Sequence, residues 1–165
     1  MSVDKTQPQP VALMLVLRGQ GETRQVLLGR KRTGFGAGNM VAPGGKIEPG
    51  EQAASAAVRE LEEETSLRVA AECADHRATI LFRFPARPAS DMDCQVFLAT
   101  SYDGEPAASG ELEPHWYPVA DLPVEQMWQD AEHWLPRIIG GEMFTATVIM
   151  AQDNLGVTTV RISSW

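Results

Sequence analysis

Gly45-Lys-Ile-Glu-Pro-Gly-Glu51-Gln-Ala-Ala-Ser-Ala-Ala-Val-Arg59-Glu60-Leu-Glu-Glu63-Glu64-Thr-Ser-Leu67 sets four carboxylates and one arginine at fixed offsets from a glycine-rich turn. Ala53, Ala56, Ala57, Glu60, Leu61 and Glu64 recur at three- and four-residue intervals with no proline between them, which predicts a helix over Glu51–Leu67 entered through the turn Ile47-Glu-Pro-Gly50. On that helix Glu60, Glu63 and Glu64 stand at i, i+3 and i+4 and share one face. Like charges so placed cost a few tenths of a kcal/mol per pair, and a hard divalent cation would offset that repulsion. Mg²⁺ takes one or two carboxylates together with water and substrate phosphate. Arg59, eight residues after Glu51 and four before Glu63, is predicted to pair with Glu51 and lock the turn to the helix. Gly44 and Gly45 leave room for a backbone carbonyl to come close to a metal.

Upstream, residues 1–10 are polar with two prolines and read as a flexible tail. Val11–Leu17 is a short apolar run typical of a buried strand, Gly19-Gln-Gly21 turns it, and Gln25–Gly29 is its hairpin partner. Thr33–Gly38 reads as a loop. Downstream, Arg68–Ala71, Ala78–Phe84, Met92–Thr100 and Glu111–Pro118 have strand character. Asp130–Ile139 reads as a second helix disturbed by Pro136, and a last hairpin joins Met143–Met150 to Val157–Ile162 through Asp153–Gly156. With no repeat or linker, residues 11–165 form one α+β domain with a mixed sheet.

Composition narrows the function. The 165 residues carry 14 basic and 22 acidic side chains, a net charge of −8, which argues against a duplex nucleic-acid partner because phosphate contacts need a basic face. Cys73 and Cys94 lack metal or CxxC spacing. His76, His115 and His133 are scattered, and Gly34-Phe-Gly-Ala-Gly38 lacks the lysine and hydroxyl of a P-loop, which leaves it as a lip of a pocket. No apolar run is long enough for a membrane-spanning helix and no signal-peptide core is present, so the expected location is cytoplasmic.

The segment Gly45–Leu67 resembles the Nudix box of the Nudix hydrolases, departing once, at Ser66, where the family usually has glycine; a small adjustment of the helix C-terminus is expected there. The resemblance implies an α/β/α sandwich around a central mixed sheet and a substrate in which a nucleoside diphosphate is linked to another group. Similarity extends to the animal, MutT-type oxidised-purine nucleoside triphosphate diphosphatases that sanitise the nucleotide pool. It runs through Leu28-Gly-Arg-Lys31, Gly34–Gly38, Met92-Asp93, Val96-Phe97, Met127-Trp128-Gln-Asp130 and Trp134.

That resemblance implies Mg²⁺, with Mn²⁺ as a substitute, held by the Gly44 carbonyl, Glu60, Glu63 and Glu64. Arg59, Glu60, Glu63, Glu64 and Glu111 form the catalytic set, with Gly45 and Glu51 structural in the motif. Lys31 would hold the substrate; Phe35, Phe82, Met92 and Trp128 would line a purine slot; Asn39 and Asp130 would read the base edge, since Val41 and Ala131 replace two polar readers of the animal enzymes. The expected reaction converts a modified purine triphosphate such as 8-oxo-dGTP to monophosphate and pyrophosphate, in a monomer or homodimer. A dinucleotide, nucleotide-sugar or noncanonical pyrimidine triphosphate substrate is the alternative, followed by a non-catalytic nucleotide sensor.

Overall fold

A computed structural model describes residues 7–165. Among these residues nine strands build one mixed sheet: β1 (Gln9–Arg18), β2 (Gln25–Lys31), β3 (Met40–Val41), β4 (Gly44–Lys46), β5 (Asp75–Arg83), β6 (Met92–Ala99), β7 (Leu112–Pro118), β8 (Phe144–Met150) and β9 (Val157–Ser164). The main path runs β3-β2-β1-β6-β5-β8-β9, with β4 added to β1 and β7 to β2. β1 pairs parallel with β6 and β5 parallel with β8, and the remaining pairs are antiparallel. Among the described residues the α-helices are α1 (Ala53–Thr65) and α2 (Ala131–Ile139).

The apolar run in β1 is continuous because both of its faces are covered. Side chains alternate along a strand, so Ala12, Met14 and Val16 meet Ala56, Ala57 and Leu61 of α1. Val11, Leu15 and Leu17 turn the other way, into the core that holds Trp134, Leu135 and Ile138 of α2. The result is the α/β/α layering implied by the resemblance. Every core residue of β1 from Ala12 to Leu17, Leu13 excepted, is buried.

Several boundaries differ from the sequence reading. Residues 1–6 of the expected tail lie outside the described residues, while Gln9 and Pro10 belong to β1, paired with Met92 and Asp93. α1 is two residues shorter at each end than Glu51–Leu67. The expected strand Arg68–Ala71 reduces to one bridge, in which Arg68 and Asp103 exchange backbone hydrogen bonds of 3.0 and 2.9 Å, followed by a 3₁₀ turn at Ala71–Cys73. With only one partner residue to bond, that segment cannot extend into a ladder.

Ser66 ends α1 in the left-handed region at φ 70°, its N–H bonded to the Glu62 carbonyl at 2.9 Å. That is the backbone state in which glycine carries no steric cost, which accounts physically for the family's glycine at the one position where this motif departs. Pro136 sits inside α2 without breaking it.

Candidate active site

β4 and the turn after it run alongside α1, and glycine makes the approach possible. A Cβ on Gly45 would fall on the carboxyl carbon of Glu60, and one on Gly44 would strike the Ala12 carbonyl of β1. The turn is closed by a reciprocal pair: the Glu51 N–H bonds the Glu48 carbonyl at 2.9 Å, and the Glu48 N–H bonds Oε1 of Glu51 at 3.0 Å. Arg59 then clasps Glu51 with one edge of its guanidinium, Nε to Oε2 at 2.9 Å and Nη2 to Oε1 at 3.0 Å, and Nη2 also reaches the Lys46 carbonyl at 3.1 Å. These charge-assisted donors hold the Glu51 carboxyl down at about 2. The pairing expected from the eight-residue spacing is therefore present.

Arg59 also turns toward the acidic stripe. Nη1 bonds Glu60 at 2.9 Å and lies 3.5 Å from Glu63. It thereby offsets part of the repulsion among the glutamates.

The three glutamates separate into two groups. At about 100° per residue, Glu60 and Glu64 lie only about 40° apart around the helix, whereas Glu63 falls about 100° from Glu64. Glu64 is 8% exposed and accepts a 2.7 Å hydrogen bond from the Gly44 N–H. Burial, with the charges of Glu60 and Glu111 added, pushes its carboxyl up to about 7, against the opposing pull of Gly44 and Lys31. Burial also raises Glu60, partly countered by Arg59. Glu63 stays on the outer side with its side chain 59% exposed and lines no part of the cleft.

A cleft of about 580 Å³ joins this acidic end to an aromatic one. Gly44, Gly45, Glu60, Glu64, Glu111 and Lys31 line the first; Phe35, Phe82, Met92, Trp128 and Asp130 line the second. Burial lowers the Lys31 pKa while the charges of Glu64 and Glu111 raise it. Ten of the residues singled out from the sequence thus meet in one cavity with Gly45. Asn39 does not: its carbonyl takes the Lys31 N–H at 2.9 Å and its own N–H bonds Gly36, so it closes the neck of the 33–38 loop instead. Val41, two residues on, is the one that faces the cleft.

At the aromatic end Phe35 packs edge-on against Phe84 at 5.5 Å and tilted against Trp128 at 5.4 Å, with the Arg87 guanidinium 4.5 Å over the Phe35 ring. Asp130 is 2% exposed; its Oδ2 accepts a 2.6 Å hydrogen bond from Nε1 of Trp134, while the buried Oδ1 has no partner within the protein. Burial pushes this carboxyl up to about 6. Phe84, Met127 and Cys94 were not singled out for this site from the sequence. Met127 and Cys94 line the cleft and Phe84 backs Phe35 and Trp128; as ordinary buried apolar groups in apolar stretches they carry no mark that separates pocket from core.

The donors suit a hard cation. Among the described residues no three His, Cys, Asp or Glu side chains converge on one point; instead Glu60 and Glu64 share a helix face, with Glu111 across the same cleft. Two carboxylates and room for water and phosphate is the coordination that Mg²⁺ favours over an all-protein cage. The mutual repulsion of Glu60, Glu64 and Glu111 is what a divalent ion would relieve. No helix among the described residues is long and apolar enough to cross a membrane.

Comparison with known proteins agrees with this architecture. The NUDIX domain model matches residues 7–138. An oxidized purine nucleoside triphosphate hydrolase of Danio rerio is 40% identical over 120 residues, 73% of this chain and 75% of its own. The mouse (Mus musculus) protein of the same name is 36% identical over 132 residues, 80% of each chain. In fold, the crystal structure of a mutator MutT protein from Bacillus halodurans superposes with a TM-score of 0.76 at 24% identity, covering 94% of this chain and 97% of that one. With the motif, the helix–sheet–helix layering and these relatives in agreement, the chain belongs to the NUDIX family of hydrolases.

Proposed function

We propose that this protein hydrolyses oxidised purine nucleoside triphosphates, 8-oxo-dGTP foremost, to the monophosphate and pyrophosphate with the help of Mg²⁺. The observation that carries the reading is the cleft itself, which connects a carboxylate pair suited to a hard cation with an aromatic slot containing one unpaired buried oxygen. The names of the fish and mouse relatives support the same substrate class.

Glu60, Glu64 and the Gly44 carbonyl would hold the ion, and Mn²⁺ would serve in its place. When bound, the ion neutralises phosphate charge and lowers the pKa of a coordinated water. Arg59 and Glu51 keep the glycine turn against α1, so the carboxylates meet the phosphates in one arrangement. Lys31 places an ammonium among the phosphate oxygens. Glu60, Glu63 and Glu111 are the candidates for accepting the water's proton, and Glu60 and Glu111 are the two that line the cleft.

At the other end a purine would stack in the slot formed by Phe35, Phe82, Met92 and Trp128. Asp130 Oδ1 would take a hydrogen bond from the base edge, or donate one when protonated. Val41 and Ala131 supply no polar atom beside it, so discrimination rests on this single carboxyl. A site with few hydrogen-bonding groups leaves little unpaired when the wrong base enters, and so rejects it weakly.

The test is a panel of nucleotides assayed for kcat/KM with Mg²⁺ and with Mn²⁺: 8-oxo-dGTP, dGTP, dATP, oxidised dATP, a dinucleoside polyphosphate and a nucleotide sugar. 8-oxo-dGTP or oxidised dATP should lead. A dinucleotide or sugar nucleotide in first place would replace them.

A further inference from the structure

Trp128 and Asp130 sit in a connection with little regular structure of its own, yet both must be held still to shape the slot. Of the backbone N–H groups from Gln126 to Ala131 that find a carbonyl, those of Gln126, Met127 and Ala131 bond one three residues back, and that of Gln129 reaches a distant element, bonding the Leu155 carbonyl at 3.1 Å. Leu155 lies in the turn between β8 and β9, on the far side of the sequence from the Nudix motif. The turn is tightly organised: Ala151 N–H bonds the Gly156 carbonyl at 2.8 Å, and Asn154 takes a left-handed φ of 58°.

One side chain sets that geometry. Asp153 Oδ1 accepts the N–H of Leu155 at 2.9 Å and that of Gly156 at 2.8 Å. The peptide groups on both sides of Leu155 are thereby fixed, one through its donor and the other through its neighbour, which aims the Leu155 carbonyl at Gln129. Side-chain Oε1 of Gln129 packs back against Gly156, where an added Cβ would lie 3.4 Å from it. Asp153 itself lines no part of the cleft.

We propose that Asp153 is a positioning residue for the base slot, acting through the Leu155 carbonyl on Gln129 and so on the Trp128 ring and the Asp130 carboxyl that flank it. The inference rests on the reading that Trp128 and Asp130 face the base. Its physical content is that the C-terminal hairpin braces recognition of the base and leaves the phosphate end alone.

The experiment compares kcat and KM of Asp153→Ala, Asp153→Asn and Trp128→Ala on 8-oxo-dGTP and on deoxyribose triphosphate lacking a base. Asp153→Ala should raise KM for 8-oxo-dGTP roughly three- to tenfold, the scale of one lost neutral hydrogen bond, with kcat changed less than about twofold and the baseless substrate unaffected. Asp153→Asn keeps Oδ1 as an acceptor and should restore KM. In the alanine variant the Gln129 amide should also exchange its hydrogen faster, while Ala146 and Val148 in β8 keep their protection. Should Asp153→Ala not fold, Asp153→Ser, whose hydroxyl can accept one of the two bonds, should give an intermediate KM.

An unmoved KM in Asp153→Ala, or an equal loss of kcat on both substrates, overturns the bracing role. If Trp128→Ala raises KM for 8-oxo-dGTP while Asp153→Ala does not, only this inference fails. If Trp128→Ala also leaves it unmoved, the base lies elsewhere and the underlying reading fails with it.

Discussion

The backbone N–H of Gly44 donates a 2.7 Å hydrogen bond to Oε1 of Glu64, tying the strand before the glycine turn to the last turn of α1. Glu64 is the most deeply buried carboxylate of the acidic end, and its carboxyl is pushed up to about 7 by that burial. Its folded pKa is raised, so the stability it contributes is complete below the ordinary carboxylate range and is lost as pH rises through about 7. A divalent cation binds the ionised form and competes with the proton.

Mg²⁺ should therefore stabilise the protein more at pH 8 than at pH 6. A tenfold weaker apparent affinity one pH unit below the pKa corresponds to about 1.4 kcal/mol, or roughly 4 °C in the Mg²⁺-induced rise of Tm for a chain of this size. Thermal melts with and without Mg²⁺ at the two pH values measure it. Glu64→Gln should erase the pH dependence of the increment; an increment that is the same at both pH values in the wild type contradicts the placement of the ion at Glu64.

The Arg59–Glu51 clasp predicts an acid limb. Here the folded pKa is depressed, to about 2, so its contribution is present above the ordinary carboxylate range and disappears as pH falls toward 2. Glu51→Gln should flatten stability between about pH 4.5 and 2 relative to the wild type and should lower kcat at neutral pH, because the loop it releases carries the Gly45–Glu60 contact. Denaturant melts across that range, with rates measured at neutral pH, decide it. A wild-type acid limb retained in full would show that the clasp contributes nothing.

Asp130 gives the opposite sign. Burial raises its carboxyl to about 6, so its contribution falls as pH rises from about 4 through 6. Asp130→Asn can still accept the bond from Trp134 and should be more stable than the wild type at pH 7.5, by up to about 3 kcal/mol. The same variant should change the kcat/KM ranking of 8-oxo-dGTP against dGTP. A gain in stability with an unchanged ranking would mean that the orphan oxygen does not meet the base.

Ser66→Gly replaces a left-handed serine, φ 70°, with the residue that adopts this state freely. The variant should gain about 1 kcal/mol, seen as a Tm higher by roughly 3 °C, with kcat unchanged because Ser66 touches neither end of the cleft. A drop in Tm would show that the flexibility added to the unfolded chain outweighs the relieved strain.

The legible parts of this molecule are those where chemistry and period coincide. The spacing from Gly45 to Leu67 placed the Arg59–Glu51 pair and brought Glu60 and Glu64 to one face, and the apolar run of β1 marked a strand covered on both sides. β3 and β4 were hidden because two- and three-residue strands carry no period, and Gly44-Gly45 reads as a turn in any local scheme. Glu63 was grouped with Glu60 and Glu64 because i, i+3 and i+4 are all called neighbours, although they spread over about 100° of the helix. Asn39 precedes β3 and is held at the neck of the 33–38 loop by its backbone bonds to Lys31 and Gly36, and no local pattern separates it from Val41 two residues on. The Asp153 brace depends on the distant meeting of Gln129 with Leu155, which no local pattern announces.

The Glu60–Glu64 face should support cleavage between the α and β phosphates of an oxidised purine triphosphate. ³¹P NMR of 8-oxo-dGTP incubated with Mg²⁺ and either the wild type or Glu64→Gln tests it in one measurement. The wild type should give equimolar monophosphate and pyrophosphate, and the variant a rate lower by about two orders of magnitude or more, the scale of a lost electrostatic contact at a reacting phosphate. Release of inorganic phosphate with a nucleoside diphosphate, or undiminished pyrophosphate from Glu64→Gln, would contradict it.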